Sequence, residues 1–127
     1  MNTFEAFNQG SIVTMEGGKL ASEIEWSKHS TFAGVSLKHL ITAAETQGEF
    51  SYHLVRIEKN CSIKLHIHET QLETHEVVQG FGQCICDGKE IPYVPGTIAV
   101  IPKGMEHEVN AGEEGLYLFA KFIPALC

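Results

Sequence analysis

Apolar and polar residues alternate over short runs along most of this chain. Val35–Thr42, which reads VSLKHLIT, is one such run. Others are Ser11–Met15, Phe50–Glu58, Ile63–His68, His75–Gln79, Gln83–Cys86, Lys89–Tyr93, Thr97–Ile101 and Glu106–Val109. A period of two marks β-strands, because successive side chains on a strand point to opposite faces. Leu116–Ile123 is apolar at nearly every position apart from Lys121. That pattern predicts a strand covered on both faces, by core on each side or by core and a second subunit. Glu16-Gly17-Gly18, Thr46-Gln47-Gly48, Lys59-Asn60 and Asp87-Gly88 separate the runs as turns. Asp-Gly is a dipeptide that closes tight hairpins. Many short strands parted by turn residues predict an all-β sandwich or barrel. Helical periodicity is absent. Ser22–Lys28 has room for one helical turn, with Trp26 as a packing anchor. The first 25 or so residues carry a weak pattern, compatible with pairing to the main sheet or to a second subunit.

Composition narrows this reading without changing it. The 127 residues make one domain, 1–127, with length enough for a real core. Hydrophobic residues are 43% and charged residues 20%, an ordinary globular balance. The net charge of −7, with no basic stripe, argues against a nucleic-acid partner. No apolar run approaches the roughly 20 residues of a membrane helix. The opening MNTFEAFNQG lacks a charged-then-apolar leader pattern. A cytoplasmic protein without a membrane partner is therefore expected. Cys61, Cys84, Cys86 and Cys127 form no CxxC pair and read as small buried apolar residues.

The chemistry gathers around histidine. His66-Ile67-His68 places two imidazoles on one face of a strand. Glu69-Thr70-Gln71-Leu72 can then turn the chain, and Glu73 opens the next strand. If that strand lies beside the first, Glu73 reaches the same point as the two histidines. Glu69, Glu76 and Gln71 are alternative oxygen donors. His107 follows the tight turn Pro102-Lys103-Gly104 and enters from a distant strand. Three histidines and one carboxylate can close one side of a metal and leave the other open, as catalytic metal sites do. Fe, Mn, Ni and Zn all suit such a set. If Glu73 faces inward, so do His75 and Val77, while Glu76 faces out. His75 is thus a candidate proton shuttle or substrate contact, or else a packed histidine. His53 is expected to pack, and His29 and His39 to lie at the surface or rim. Gly80, Gly96 and Gly104 read as turn makers, and Met105 as a packing residue.

Two segments resemble the paired motifs of the cupin family. His66-Ile67-His68, four residues, Glu73, six residues and Gly80 follow the first motif position for position. Gly96, five residues, Pro102-Lys103-Gly104, two residues and His107 follow the second. Its closing asparagine arrives one residue early, as Asn110, and reads as a turn residue. Asn60-Cys61 replaces the glycine usual before the first motif, and Asn tolerates the left-handed backbone such a turn needs. The resemblance covers Cys61 to Asn110. It implies a small single-domain cupin, all-β, with a double-stranded β-helix or jelly-roll barrel. It implies one divalent metal ion inside, held by His66, His68, Glu73 and His107. It also implies a homodimer, since many small cupins pair through N-terminal strands. Some cupin lyases carry a tyrosine base at the position of His75.

The expected function is that of a small metalloenzyme acting on a small oxygenated molecule, as a dioxygenase-like oxidoreductase, an isomerase or a lyase. The alternative is a metal- or small-molecule-binding cupin without turnover. Fold alone does not choose between these, because one fold hosts many activities.

Overall fold

The computed structural model describes all 127 residues. A short helix, α1 (Thr3–Asn8), starts the chain, capped by Asn2, whose side chain accepts from the Glu5 amide. A hairpin follows, β1 (Ser11–Thr14) with β2 (Gly17–Leu20). The sequence pattern placed a turn at Gly17-Gly18, whereas these two glycines begin the returning strand. Ala21–Glu23 makes a turn of 3₁₀ helix. Next come β3 (Ser27–Lys28), β4 (Val35–Ile41), the one-turn helix α2 (Ala43–Thr46) and β5 (Ser51–Ile57). The last part holds β6 (Ser62–His66), β7 (Leu72–Cys86), β8 (Lys89–Tyr93), β9 (Ile98–Ile101) and β10 (His107–Ile123). No helix is long and apolar enough to cross a membrane.

Two strands are much longer than the alternation predicts. His75–Gln79 and Gln83–Cys86 are parts of one strand, β7, and Glu106–Val109 and Leu116–Ile123 belong to another, β10. Their inward positions explain the apparent break. In β7 the buried residues are Glu73, His75 and Val77, then Cys84 and Cys86. In β10 the inward ones are His107, Val109 and Ala111, then Leu116, Leu118, Ala120 and Phe122, while Phe119 is buried on the outer face. Each strand changes parity where the register slips, β10 between Ala111 and Leu116, and β7 between Val77 and Gln79, opposite Leu118 and Tyr117. An irregularity of this kind adds residues to one strand, bends it and re-aims its side chains.

That bend makes the barrel. The first half of β7 and the second half of β10 pair in a sheet that continues through β5, β4 and β3 on one side and β9 on the other. The second half of β7 and the first half of β10 pair in another, flanked by β8 and β6. Both long strands therefore pass from one sheet to the other, which is the jelly-roll arrangement the motifs imply. The main core lies between the sheets and includes Val35, Val55, Ile57, Tyr93, Ile101, Val109, Leu116 and Leu118. Asp87 and Gly88 close the β7–β8 hairpin with φ of 50° and 76°, the left-handed pair that a two-residue turn of this sort requires. Asn60 has φ 57° and supplies the left-handed turn before β6. Asn110 is not a turn residue. It lies within β10, where its side chain accepts a 2.6 Å hydrogen bond from Ser62.

The weakly patterned N-terminal segment covers the outer face of the first sheet. Phe4 is buried with Ala21, Leu40, Leu54 and Phe119, and Trp26 packs at the edge of this group. Burying one such aromatic stabilises by about 1.5–3 kcal/mol. Lys38 ties the cover down. It is buried, and its ammonium donates to the carbonyls of Ala21 (2.7 Å) and Asn8 (3.2 Å). Arg56 lies over the Trp26 ring at 4.0 Å. The segment packs onto the sheet and does not add a strand to it.

The crossing of β7 and β10 leaves no room at Gly80. Its φ is +79°, and an added Cβ would stand 2.1 Å from the Gly115 carbonyl oxygen. Gly80→Ala is expected to cost at least about 2 kcal/mol, from backbone strain and overpacking together. Equilibrium urea denaturation reads this, and an unchanged midpoint would show that the two bends tolerate separation.

Candidate metal centre

Each predicted ligand is delivered by a different local device. His66 ends β6 and faces His107 in register across the β6–β10 pair. Their rings are 4.2 Å apart between centroids. His68 lies two residues beyond the strand, not on it. Its carbonyl accepts from the Gly104 amide at 2.9 Å, which fastens this segment to the turn just before His107. Glu73 comes from the first sheet, so the site spans both. The sequence reading set β6 beside β7. In the structure β10 lies between them, because it pairs with β6 along one edge and with β7 along the other.

One donor atom from each of His66, His68, Glu73 and His107 falls within 4.8 Å of all the others. Glu73 Oε1 is 3.2 Å from His107 Nε2 and 3.7 Å from His68 Nε2. The alternative carboxylates, Glu69 and Glu76, fall outside this group. Glu69 is exposed, and Glu76 faces outward, paired with Lys121. His66 Nδ1 lies 2.8 Å from the Lys64 carbonyl, and His107 Nδ1 lies 3.0 Å from the Met105 carbonyl. An Nδ1–H donating to each carbonyl leaves the Nε2 lone pair of each ring turned inward, the usual arrangement behind metal-bound histidines.

Two buried atoms here, Glu73 Oε1 and His107 Nε2, face each other at 3.2 Å yet make no well-aligned hydrogen bond. Glu73 is 5% exposed and His107 1%. Buried polar atoms are rarely left without a partner, because each costs on the order of 1–3 kcal/mol. A cation between them would satisfy both. The donor set therefore fits a divalent transition metal, with three borderline nitrogens and one hard oxygen.

The electrostatics agree. Burial raises the Glu73 carboxyl, but the nearby His75 and His107 more than offset this and hold it well below the usual carboxylate range. Burial lowers both His66 and His68, which favours the neutral, ligating imidazole. Burial also pulls His107 down, yet the Glu73 carboxylate and the Met105 carbonyl shift it upward overall. With a carboxylate so close, a positive charge is favoured at this point.

His75 is buried beside the cluster, as its parity predicts. Both of its nitrogens are engaged by the protein. Nδ1 lies 2.7 Å from the Tyr93 hydroxyl, and Nε2 lies 2.6 Å from Glu73 Oε2. Burial holds the Tyr93 hydroxyl far above its ordinary value, so it stays a donor. With Tyr93 donating to Nδ1, Nε2–H donates to Glu73 and turns Oε1 toward the other ligands. This geometry suits a support for Glu73 better than a free base. Sequence reasoning missed Tyr93, because no local spacing links it to His75.

His66, His68 and Glu73 line one wall of a cavity of about 390 Å³, and His107 lies behind them. Leu37, Val55, Leu118, Ala120 and Phe122 make its apolar lining, and Ser27–Ser30 lie at its exposed rim. Lys28 is the only Lys or Arg among the lining residues. His29 is at the rim, as expected. His39, expected at the surface or rim, lies in the wall. Its parity with Val35 and Leu37 on β4 was the available signal. Met105 packs against the core and does not line the cavity. All four cysteines are free; Cys84 and Cys86 are buried as expected, whereas Cys61 is half-buried and Cys127 exposed.

Comparison with known proteins bears on the fold. A family model described as a cupin domain matches residues 53–121. An L-ectoine synthase from Teredinibacter turnerae is 36% identical over 67 residues, which is 51% of this chain and 50% of that protein. The chain thus spans about half the length of the curated relative it matches. Among solved structures, a predicted oxalate decarboxylase from Thermotoga maritima superposes with a TM-score of 0.73 at 25% identity, over 81% of this chain and 95% of that one. An ectoine synthase from P. lautus shares the fold, with a TM-score of 0.66 at 19% identity, over 73% of this chain and 66% of that one.

Tyr93→Phe removes one hydroxyl from this buried network and leaves His75 Nδ1 without its partner. A loss of about 1–3 kcal/mol in unfolding free energy is expected. Denaturant titration measures it, and a loss below about 0.5 kcal/mol would count against the Tyr93–His75 bond.

Proposed function

This chain belongs to the cupin family, and from that premise we propose that it is a metal-dependent enzyme acting on a small oxygenated molecule. The observation that carries the reading is a pair of buried atoms, Glu73 Oε1 and His107 Nε2, that face each other at 3.2 Å without a well-aligned hydrogen bond, beside the cavity that Glu73 lines. His66, His68, Glu73 and His107 would hold one divalent ion, of the Fe, Mn, Ni or Zn class. Such an ion, when bound, supplies Lewis acidity toward an oxygen of the substrate.

The chain's own residues do the rest. The half-buried His66 and His68 leave the cavity side of the cluster open. Leu37, Val55, Leu118 and Phe122 exclude water and limit the size of what enters. Lys28 at the rim favours an anionic group on the substrate, such as a carboxylate. His75 holds Glu73 Oε2 and so fixes the direction of Oε1. The names of the similar proteins, an L-ectoine synthase and a predicted oxalate decarboxylase, also speak of small-molecule chemistry.

The metal comes first in the test. Apo-protein titrated with Mn(II), followed by loss of the free-ion EPR signal, is expected to take up one equivalent. His107→Ala is expected to weaken this at least about 100-fold, as loss of a direct ligand should exceed the 10–100-fold effect of losing an outer-shell partner. His75→Leu, which frees Glu73 Oε2, is expected to weaken it by about 10–100-fold. Wild-type protein that takes up no Mn(II), Fe(II), Ni(II) or Zn(II) would sink the proposal. Metal-loaded protein that binds small carboxylates yet turns over none of a panel of oxidation, isomerisation and elimination substrates would instead identify a binding module.

A further inference from the structure

A second cluster of ligand atoms stands elsewhere in the barrel wall. His39 on β4 and His53 on β5 face each other in register. Their Nδ1 atoms are 2.7 Å apart and their rings nearly perpendicular, at 88°. His53 is fully buried, whereas His39 is half-buried and lines the cavity. After β10 the chain folds back over this pair. The Ala125 amide donates to the Gly48 carbonyl (3.0 Å), the Leu126 amide to Ser51 Oγ (2.8 Å), and the Ala43 amide to the Cys127 carbonyl (2.7 Å). These bonds bring the free thiol of Cys127 to the two histidines. One nitrogen of each ring and the Cys127 sulfur all lie within 4.8 Å of one another. Phe122 stands between this group and the first, its ring centroid 5.5 Å from that of His53 and 5.1 Å from that of His68.

We propose that His39, His53 and Cys127 form a second metal site, suited to a borderline-soft ion such as Zn(II) and separate from the three-histidine, one-glutamate cluster. Three features of the geometry carry this. First, two imidazole Nδ1 atoms converge on one point beside the Cys127 sulfur; without a metal one neutral ring donates its N–H to the other, and a bound cation would take that proton's place. Second, His53 Nε2 lies 2.8 Å from Ser51 Oγ. A ligating histidine ordinarily donates its far N–H to an oxygen in this way, which fixes the ring and frees the other nitrogen. Third, the set is two nitrogens and one sulfur, a softer combination than the oxygen-containing first site, and such sets select zinc-like ions over manganese or magnesium. Cys127 is exposed, so an ion can enter from solvent. Burial lowers both His39 and His53, so a neutral pair is favoured over an extra proton. Burial raises the Cys127 thiol, so it stays protonated until a metal displaces its proton to solvent on binding.

Co(II), a spectroscopic substitute for Zn(II), tests the site without any activity assay. Reduced apo-protein titrated anaerobically is expected to bind two equivalents and to develop thiolate-to-cobalt charge-transfer absorption in the near ultraviolet. Added Zn(II) is expected to bleach that band. Cys127→Ser, a change at an exposed residue, is expected to lose the band and one of the two equivalents. His39→Ala, which keeps the thiol, is expected to lose the same equivalent. His107→Ala is expected to keep the band, so failure of the first site and failure of the second are read separately. A wild-type protein that shows no thiolate band at saturating Co(II) overturns the proposal. So does a band that persists unchanged in Cys127→Ser or in His39→Ala.

Discussion

Glu73 is a carboxylate held almost wholly out of water, and the rest of the site is arranged around that fact. A charge buried in a protein interior is costly unless hydrogen bonds and opposite charge surround it. Here one oxygen is bonded to His75, and the other faces His107 and His68. Tyr93 backs His75 in turn. The chain from Tyr93 through His75 to Glu73 therefore runs from the core to the centre of the ligand group. A half-satisfied buried network of this kind is unfavourable by itself, and the position of its two atoms without a well-aligned hydrogen bond is what points to a cation.

That carboxylate meets His66 and His107 only because two strands change sheets. Glu73 lies on the first half of β7, in one sheet, while His107 opens β10 in the other. The bends near Gly80 and Gly115 turn the two sheets toward each other, and the backbones there approach too closely for a side chain. The same bends switch which parity faces inward. Cys84 and Cys86 thus continue the inner face that Glu73, His75 and Val77 began. The site is a product of the crossing, and the outer cover of Phe4, Trp26 and Lys38 braces the sheet that carries half of it.

Much of this was legible in the chain. The candidate ligands His66, His68, Glu73 and His107 were picked out by their motif spacing, and their donor atoms do come together; Asp87-Gly88 sits at the hairpin it predicts. The inward parity of His75 and the outward parity of Glu76 follow from strand alternation alone. Length, alternation and turn residues were enough for an all-β sandwich or barrel, and the paired motifs selected the barrel.

The reason is that these signals are local. A strand's side-chain period is a property of its own backbone, and a left-handed turn depends on the residue that occupies it. What only the tertiary structure decided is of another kind. Alternation broken by an irregularity looks like two strands, so the continuity of β7 and β10 was hidden until their pairing was seen. The insertion of β10 between β6 and β7, the Tyr93 hydroxyl on His75, and His39 meeting His53 and Cys127 all join residues far apart in the chain. The N-terminal cover depends likewise on a distant sheet to bury Phe4. The sequence by itself determined which donors the protein carries and which way most of them face. Long-range pairing decided which of them share a cavity, because backbone hydrogen bonds between strands carry no mark of their partner in the local pattern.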